Sequence, residues 1–279
     1  MKPKILSYGE IIFDLVQGRP FLGGAPLNFA WFINQLGGEA TLFSSVGKDA
    51  MGSEAVSRIE EYGINNHINI SNQPTGTAIV NPEGKFEISY PAAWSAIETP
   101  KLVCGPYDLF YFGTLAQMNP FNYSQIVNLV ENSVTNVFID LNLRYPFYSK
   151  ELISDSLEMA NIVKVNMEEW REIEVLFSIG DPFVFMDCFN LTHFSITMGA
   201  EGARFFCNGQ EFRYKPQKII EVDPTGAGDA FSAGFVMGIL SGVPEMEILK
   251  VACEAGASVA ANEGAHMNLP KHIKTQLCF

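Results

Sequence analysis

Strand-like and helix-like stretches alternate along nearly the whole chain, and this constrains the fold more than anything else in the sequence. Residues 4–16 form an apolar, strand-like run broken near Gly9. Residues 28–36 are helical and end at Gly37-Gly38. Residues 40–46 are strand-like again, and 52–62 place Ala55, Val56 and Ile59 at helical spacing before Gly63 stops them. Short β-rich runs follow at 109–112, 137–141, 162–165 and 194–198, with helical patterns such as 124–131 and 150–159 between them. Alternation of this kind builds βαβ units, in which helices cover a mostly parallel sheet. The spacing predicts an α/β fold. The 279 residues contain no obvious linker, repeat or low-complexity tract, so they predict one large domain, or one with a small appendage.

Residues 77–90 break the alternation. Ala78 and Val80 precede a turn-forming Asn81-Pro82-Glu83-Gly84. Phe86, Ile88 and Tyr90 then alternate with Glu87 and Ser89, leaving one face apolar and one polar. A lone hairpin does not bury its own face. It must extend the main domain, cover a ligand as a lid, or meet a partner chain.

Composition narrows the class. Hydrophobic residues make up 47% and charged residues 18%, a globular mixture. The formal net charge is −13 with no Lys/Arg cluster, which argues against nucleic acid or an anionic membrane surface as partners. No run of about 18 apolar residues occurs, and the first ten residues lack the apolar core of a signal peptide. Cys104, Cys188, Cys207, Cys253 and Cys278 are scattered without a Cys-x-x-Cys pair, and His67, His193, His266 and His272 lack ligand spacing. These features predict a cytoplasmic protein without disulfides or a zinc site.

The stretch that carries chemistry is Val222-Asp223-Pro224-Thr225-Gly226-Ala227-Gly228-Asp229-Ala230-Phe231, which opens into the small, apolar segment 232–240. A glycine-rich turn that starts a buried helix leaves backbone N–H groups without intrahelical partners at the positive end of the helix dipole, which suits an anion. Asp229 could be an N-terminal cap and no more. Two flanking glycines favour a second role: a carboxylate beside an anion hole suits phosphoryl transfer, accepting the proton of an attacking hydroxyl. The Walker A pattern is absent, and Gly-x-Gly-x-x-Gly fails because Phe231 stands at the third glycine. A second turn, Gly23-Gly24-Ala25-Pro26-Leu27-Asn28, permits close backbone approach, and Asn28 offers a donor and an acceptor, either for a sugar hydroxyl or for capping.

Together these stretches resemble the signatures of the ribokinase-like (PfkB) carbohydrate kinases, and among them the fructokinases. Weaker elements lie in order between them: 46–52, Asp140-Leu141-Asn142-Leu143-Arg144, Asn166-Met167-Glu168-Glu169 and 197–202. The resemblance implies a three-layer α/β/α fold with a mostly parallel central sheet, spanning 1–279, and a small β lid from about 10–22 and 77–91. It implies transfer of phosphate from ATP, with Mg2+, to the primary hydroxyl of a hexose, fructose above others. Asp229 would be the base and Gly226, Ala227 and Gly228 the anion hole. Asp14, Gly23, Gly24, Asn28 and Arg144 would hold the sugar. Asn166, Glu169, Thr197, Gly199, Gly202, Asn262 and Gly264 would line the nucleotide. Asp223 and Thr225 would help hold a monovalent cation such as K+. Lids of this family often pair, which implies a homodimer. A 2-keto-3-deoxygluconate kinase, a nucleoside kinase and a non-catalytic sensor of sugar or nucleotide remain alternatives, because one fold serves many functions.

Overall fold

The computed structural model describes residues 2–16, 18–80, 86–100, 106–133 and 136–277. In chain order its strands are β1 (Lys4–Tyr8), β2 (Ile12–Val16), β3 (Arg19–Gly23), β4 (Glu39–Gly47), β5 (Asn65–Ser71), β6 (Gly76–Val80), β7 (Phe86–Ile88), β8 (Leu109–Phe112), β9 (Val137–Asp140), β10 (Ile162–Asn166), β11 (His193–Thr197), β12 (Ala203–Cys207) and β13 (Gln210–Tyr214). Its helices are α1 (Ala25–Gln35), α2 (Ala50–Glu61), α3 (Pro120–Ser133), α4 (Lys150–Met159), α5 (Met167–Phe177), α6 (Pro182–Cys188), α7 (Ala227–Ser241), α8 (Glu245–Ala260) and α9 (Lys271–Lys274).

The main sheet has the order β13-β12-β11-β10-β9-β8-β1-β4-β5. Strands β11 through β5 in that order run parallel, and β12 and β13 finish one edge antiparallel. Parallel strands are buried on both faces and so are apolar on both. Ile5, Tyr111, Phe138 and Ile162 pack on one side with Phe29 of α1, Phe235 of α7 and Val251 of α8. Leu6, Phe110, Ile139 and Val163 pack on the other with Ile126 of α3, Ile153 of α4, Trp170 of α5 and Phe185 of α6. This is the three-layer α/β/α arrangement. The small residues of α7 have a packing reason: a Cβ on Gly234 would stand 2.9 Å from the Ala252 Cα, so α7 and α8 close almost backbone to backbone.

Two elements differ from expectation. The run 4–16 is two strands in two sheets, because Gly9 (φ 150°) turns the chain out of the main sheet after β1. The helix expected at 28–36 begins at Ala25, with proline in its first turn, where a missing N–H costs nothing. Asn28 therefore lies inside α1 and does not cap it. The expected hairpin pairs Ala78 with Ile88, as two strands of a separate sheet of order β3-β2-β6-β7; its turn at 81–84 lies outside the described residues.

That second sheet lies over the carboxyl edge of the main one. Its inner face carries Ile12, Ala78 and Ile88, which pack with Trp94, Leu115 and Phe147. Ile12, Ala78 and Ile88 of this face line the cavity below it, while Tyr90 is 48% exposed. Ile79, on the opposite face, is 48% exposed.

Candidate active site

Parallel pairing brings the carboxyl ends of β1, β9, β10 and β11 to one edge. There the chain after β1 supplies Glu10, β9 supplies Asp140 and the loop beyond it Asn142 and Arg144, and β10 supplies Lys164. The α1 and α7 N-termini add Gly24, Asn28, Gly226, Gly228 and Asp229. With Asp14, Ile12, Ala78 and Ile88 of the lid, these residues line one cavity of about 270 Å³.

Asp229 occupies the first turn of α7, whose N-cap Gly226 sits at φ 80°; a Cβ on Gly226 would meet the Ala265 Cβ at 2.7 Å. The turn differs from expectation at one residue. The Ala227 N–H folds back onto the Pro224 carbonyl (3.1 Å), and Ala227 packs against the core and does not line the cavity. Among the described residues, no turn or loop carbonyl engages the N–H groups of Gly226, Gly228 and Asp229. The Asn28 side-chain amide donates to an Asp229 carboxylate oxygen at 2.7 Å, joining α1 to α7, and its own carbonyl oxygen is buried without a partner.

Burial pushes the Asp229 carboxyl up to about 7; the Asn28 hydrogen bond, Lys164 and Arg144 pull it down, while Asp140 pushes it up. Burial likewise raises Glu10 to about 7 and Asp14 to about 6, each opposed by Arg144. Asp14 faces the cavity from β2, with an oxygen 3.1 Å from where a Gly23 Cβ would stand; Gly24, not Gly23, lines the cavity.

The residues expected at the nucleotide are not brought into this cavity. They stand farther along the same sheet edge, at the ends of β10, β11 and α8. Asn166 caps α5 by accepting from the Glu168 and Glu169 amides (2.9 Å each), and Glu169 closes a capping box onto the Asn166 N–H (2.8 Å) and the Leu143 N–H (2.9 Å). The Thr197 hydroxyl donates to Val165. Gly199 and Gly202 form the β11–β12 turn with φ 57° and 86°. The exposed Asn262 side chain donates to the Ser258 carbonyl. Asp223 accepts from the Thr225 amide (2.9 Å) and the Gly264 amide (3.1 Å), tying the anion turn to the loop after α8. Asp49 caps α2 by accepting from the Gly52 N–H, and it also accepts from Thr75.

Sequence reasoning missed Glu10, Lys164 and Ser232, and left Asp140 without a role. Lys164 had a signal: it is a lone cation inside the strand Ile162-Val163-Lys164-Val165, and an unpaired lysine is almost never fully buried. Its ammonium meets both Asp140 oxygens (3.1 and 2.9 Å), and the Ser232 hydroxyl donates to Asp140 at 2.9 Å.

An α/β sheet with helix amides, a buried carboxylate and a covering lid at its carboxyl edge defines an enzyme that moves an anionic group onto a small acceptor. Over residues 2–272 the chain matches the pfkB family of carbohydrate kinases, and it belongs to that family. It is 28% identical over 300 residues to a fructokinase of Escherichia coli, with 97% of each chain covered. Its fold matches fructokinase from Vibrio cholerae O395, solved with fructose, ADP and calcium ion, at a TM-score of 0.84 and 21% identity, covering 99% of both chains. It also matches aminoimidazole riboside kinase from Salmonella enterica, solved with aminoimidazole riboside and an ATP analog, at a TM-score of 0.81 and 24% identity, covering 99% and 100%. The protein is a sugar phosphotransferase. No helix among the described residues is long and apolar enough to cross a membrane.

Proposed function

We propose that the protein transfers the γ-phosphoryl group of ATP to the primary hydroxyl of a neutral hexose, converting fructose to fructose 6-phosphate, with Asp229 as general base. One observation carries this: Asp229 lies in the cavity beside open amides at the start of α7, with its carboxyl near neutrality. A base of that strength holds a proton weakly enough to release it and strongly enough to take it. The Gly226, Gly228 and Asp229 amides face charge building on the transferred group. Asp14, Gly24, Asn28 and Arg144 hold the sugar hydroxyls, with the orphaned Asn28 oxygen accepting one of them.

Charge supports a neutral acceptor. Glu10, Asp14 and Asp229 all line the cavity, and the cation Lys164 is matched by Asp140. A sugar acid or sugar phosphate would meet carboxylates at every approach except Arg144. The similar fold of the aminoimidazole riboside kinase, with the apolar wall of Ile12, Ala78 and Ile88, supports a nucleoside-like acceptor as the second reading.

ATP would lie along the edge formed by Thr197, Gly199, Gly202, Asn262 and Gly264. Asn166 and Glu169 have their oxygens engaged in the α5 cap, and among the described residues no three carboxylate, His or Cys side chains cluster as metal ligands. These residues do not fit a directly held Mg2+, which would arrive on the nucleotide's phosphates. Asp223 and Thr225 with the loop after α8 are the place for a monovalent cation such as K+; the acidic oxygens already order both loops there. Pairing of two lids in a homodimer would use the exposed edges of β3 and β7, and sedimentation at micromolar concentration reads it.

The test is ADP release over a panel of fructose, glucose, ribose, 2-keto-3-deoxygluconate and a nucleoside. Fructose is expected to give the highest kcat/KM. Faster turnover of the acid or the nucleoside would overturn the hexose assignment, and binding without turnover of any of them would make the protein a sensor.

A further inference from the structure

Lys164 is a buried cation for which the core offers no stabilising reason. Its side chain is 7% exposed and that of Asp140 4%. A buried ion pair recovers by attraction about what both ions lose by leaving water, and apolar residues of equal volume often serve stability as well or better. The pair does, however, have an address. In the β9–β10 register Lys164 lies opposite Asp140, on the sheet face that meets α7. Ser232, one turn into α7, donates to the same carboxylate (2.9 Å), so strand and helix fix Asp140 together.

The ammonium stands directly behind the anion turn. A Cβ built on Gly228 would lie 3.5 Å from the Lys164 Nζ, so nothing but the glycine's hydrogen separates the charge from the first turn of α7. It donates to both Asp140 oxygens; among the described residues it has no third acceptor, and Lys164 lines the cavity. Asp140 and neighbouring carboxylates hold the amine above its ordinary value, so it stays charged.

We propose that Lys164 is a catalytic residue of the phosphoryl transfer: its free N–H donates to an oxygen of the migrating group, and Asp140 and Ser232 are its positioning residues. This rests on the assignment of Asp229 and the α7 amides to that step. The acceptor oxygen bonds to the γ-phosphorus and the bond from that phosphorus to the bridging oxygen breaks. The electron pair leaves with ADP, and the hydroxyl proton goes to Asp229. Lys164 keeps its proton throughout and supplies fixed positive charge where the amides alone supply dipoles.

The test is the charge-neutral pair Lys164→Met with Asp140→Asn, which leaves no orphaned buried ion, measured beside Asp229→Asn. The pair variant is expected to keep its Tm within a few degrees and its KM for sugar, and to lose about 10²–10³ in kcat, the size typical of one oxyanion donor. It should also bind ADP normally while losing affinity for ADP with aluminium fluoride and sugar, a mimic of the migrating group. Unchanged kcat and unchanged affinity for the mimic would overturn the inference and make the pair structural. If the pair variant does not fold, Ser232→Ala, which leaves the ion pair in place, decides: about tenfold lower kcat supports positioning, and wild-type kcat rejects it. An active Asp229→Asn would instead reject the base assignment, so the two failures are distinguishable.

Discussion

Two carboxylates of one cavity are treated in opposite ways. Asp140 is saturated: both oxygens meet the Lys164 ammonium, and Ser232 donates to one of them. Asp229 receives a neutral amide hydrogen bond from Asn28. Asp140 is 3% exposed and Asp229 is half-buried, and their partners differ as well. At Asp229 desolvation outweighs the Asn28 hydrogen bond and the pull of Lys164 and Arg144, so its carboxyl holds a proton up to about 7. On the proposed function, Lys164 supplies fixed charge on the phosphoryl side and Asp229 an exchangeable proton on the acceptor side.

The largest expected break of this contrast is Asp229→Asn. It keeps the size and the acceptor for Asn28 but cannot take a proton, and kcat should fall by roughly 10²–10⁴ with the fold retained by circular dichroism. Wild-type turnover in this variant would remove Asp229 from the proton transfer.

A sharper probe is pH, because the exchangeable side makes rate and stability move in opposite directions. Turnover should rise as pH passes about 7, where Asp229 loses its proton and can act as base. Stability should fall over the same span. Asp229 is raised from 3.8 to about 7, Glu10 from 4.5 to about 7 and Asp14 from 3.8 to about 6. Each binds more protons folded than unfolded between those values, so ΔG of unfolding declines with rising pH through that window and levels off above about 7. Tm by scanning calorimetry should be higher at pH 5 than at pH 8, and Asp229→Asn should flatten part of the slope. A Tm rising from pH 5 to 8 would show that these carboxyls ionise freely in the fold.

The smallest expected effect lies outside the contrast and tests its boundary. Asn166→Ala removes the α5 cap and should cost about 1 kcal/mol, read as a shift in denaturant midpoint. A loss of turnover well beyond that stability cost would place Asn166 at the nucleotide as well as at the helix end.

Much of this was legible in the chain. The periodicity of residues 109–112, 137–141 and 162–165 marks strands, and the 226–229 turn marks the start of a buried helix, because short-range patterns control both. Periodicity did not divide 4–16 between two sheets, since both halves are equally apolar and only Gly9 hints at the bend; the family resemblance did place a lid at about 10–22 and 77–91. What neither revealed is that the hairpin packs with Trp94 from another segment. Asn166 and Glu169 match both a family pattern and the spacing of a capping box, and in the fold they cap α5 while Glu169 also accepts from the Leu143 N–H.

Local physics thus settles the element types, the open amides of a helix that starts at a glycine, and the position of Asp229 beside them, because each depends on residues a few places apart. Which groups share the cavity is a long-range matter. Asn28 meets Asp229 across 201 residues and Ser232 meets Asp140 across 92. Only the packing of α1 and α7 against the sheet decides which buried carboxylate receives a cation, and which is left to exchange its proton.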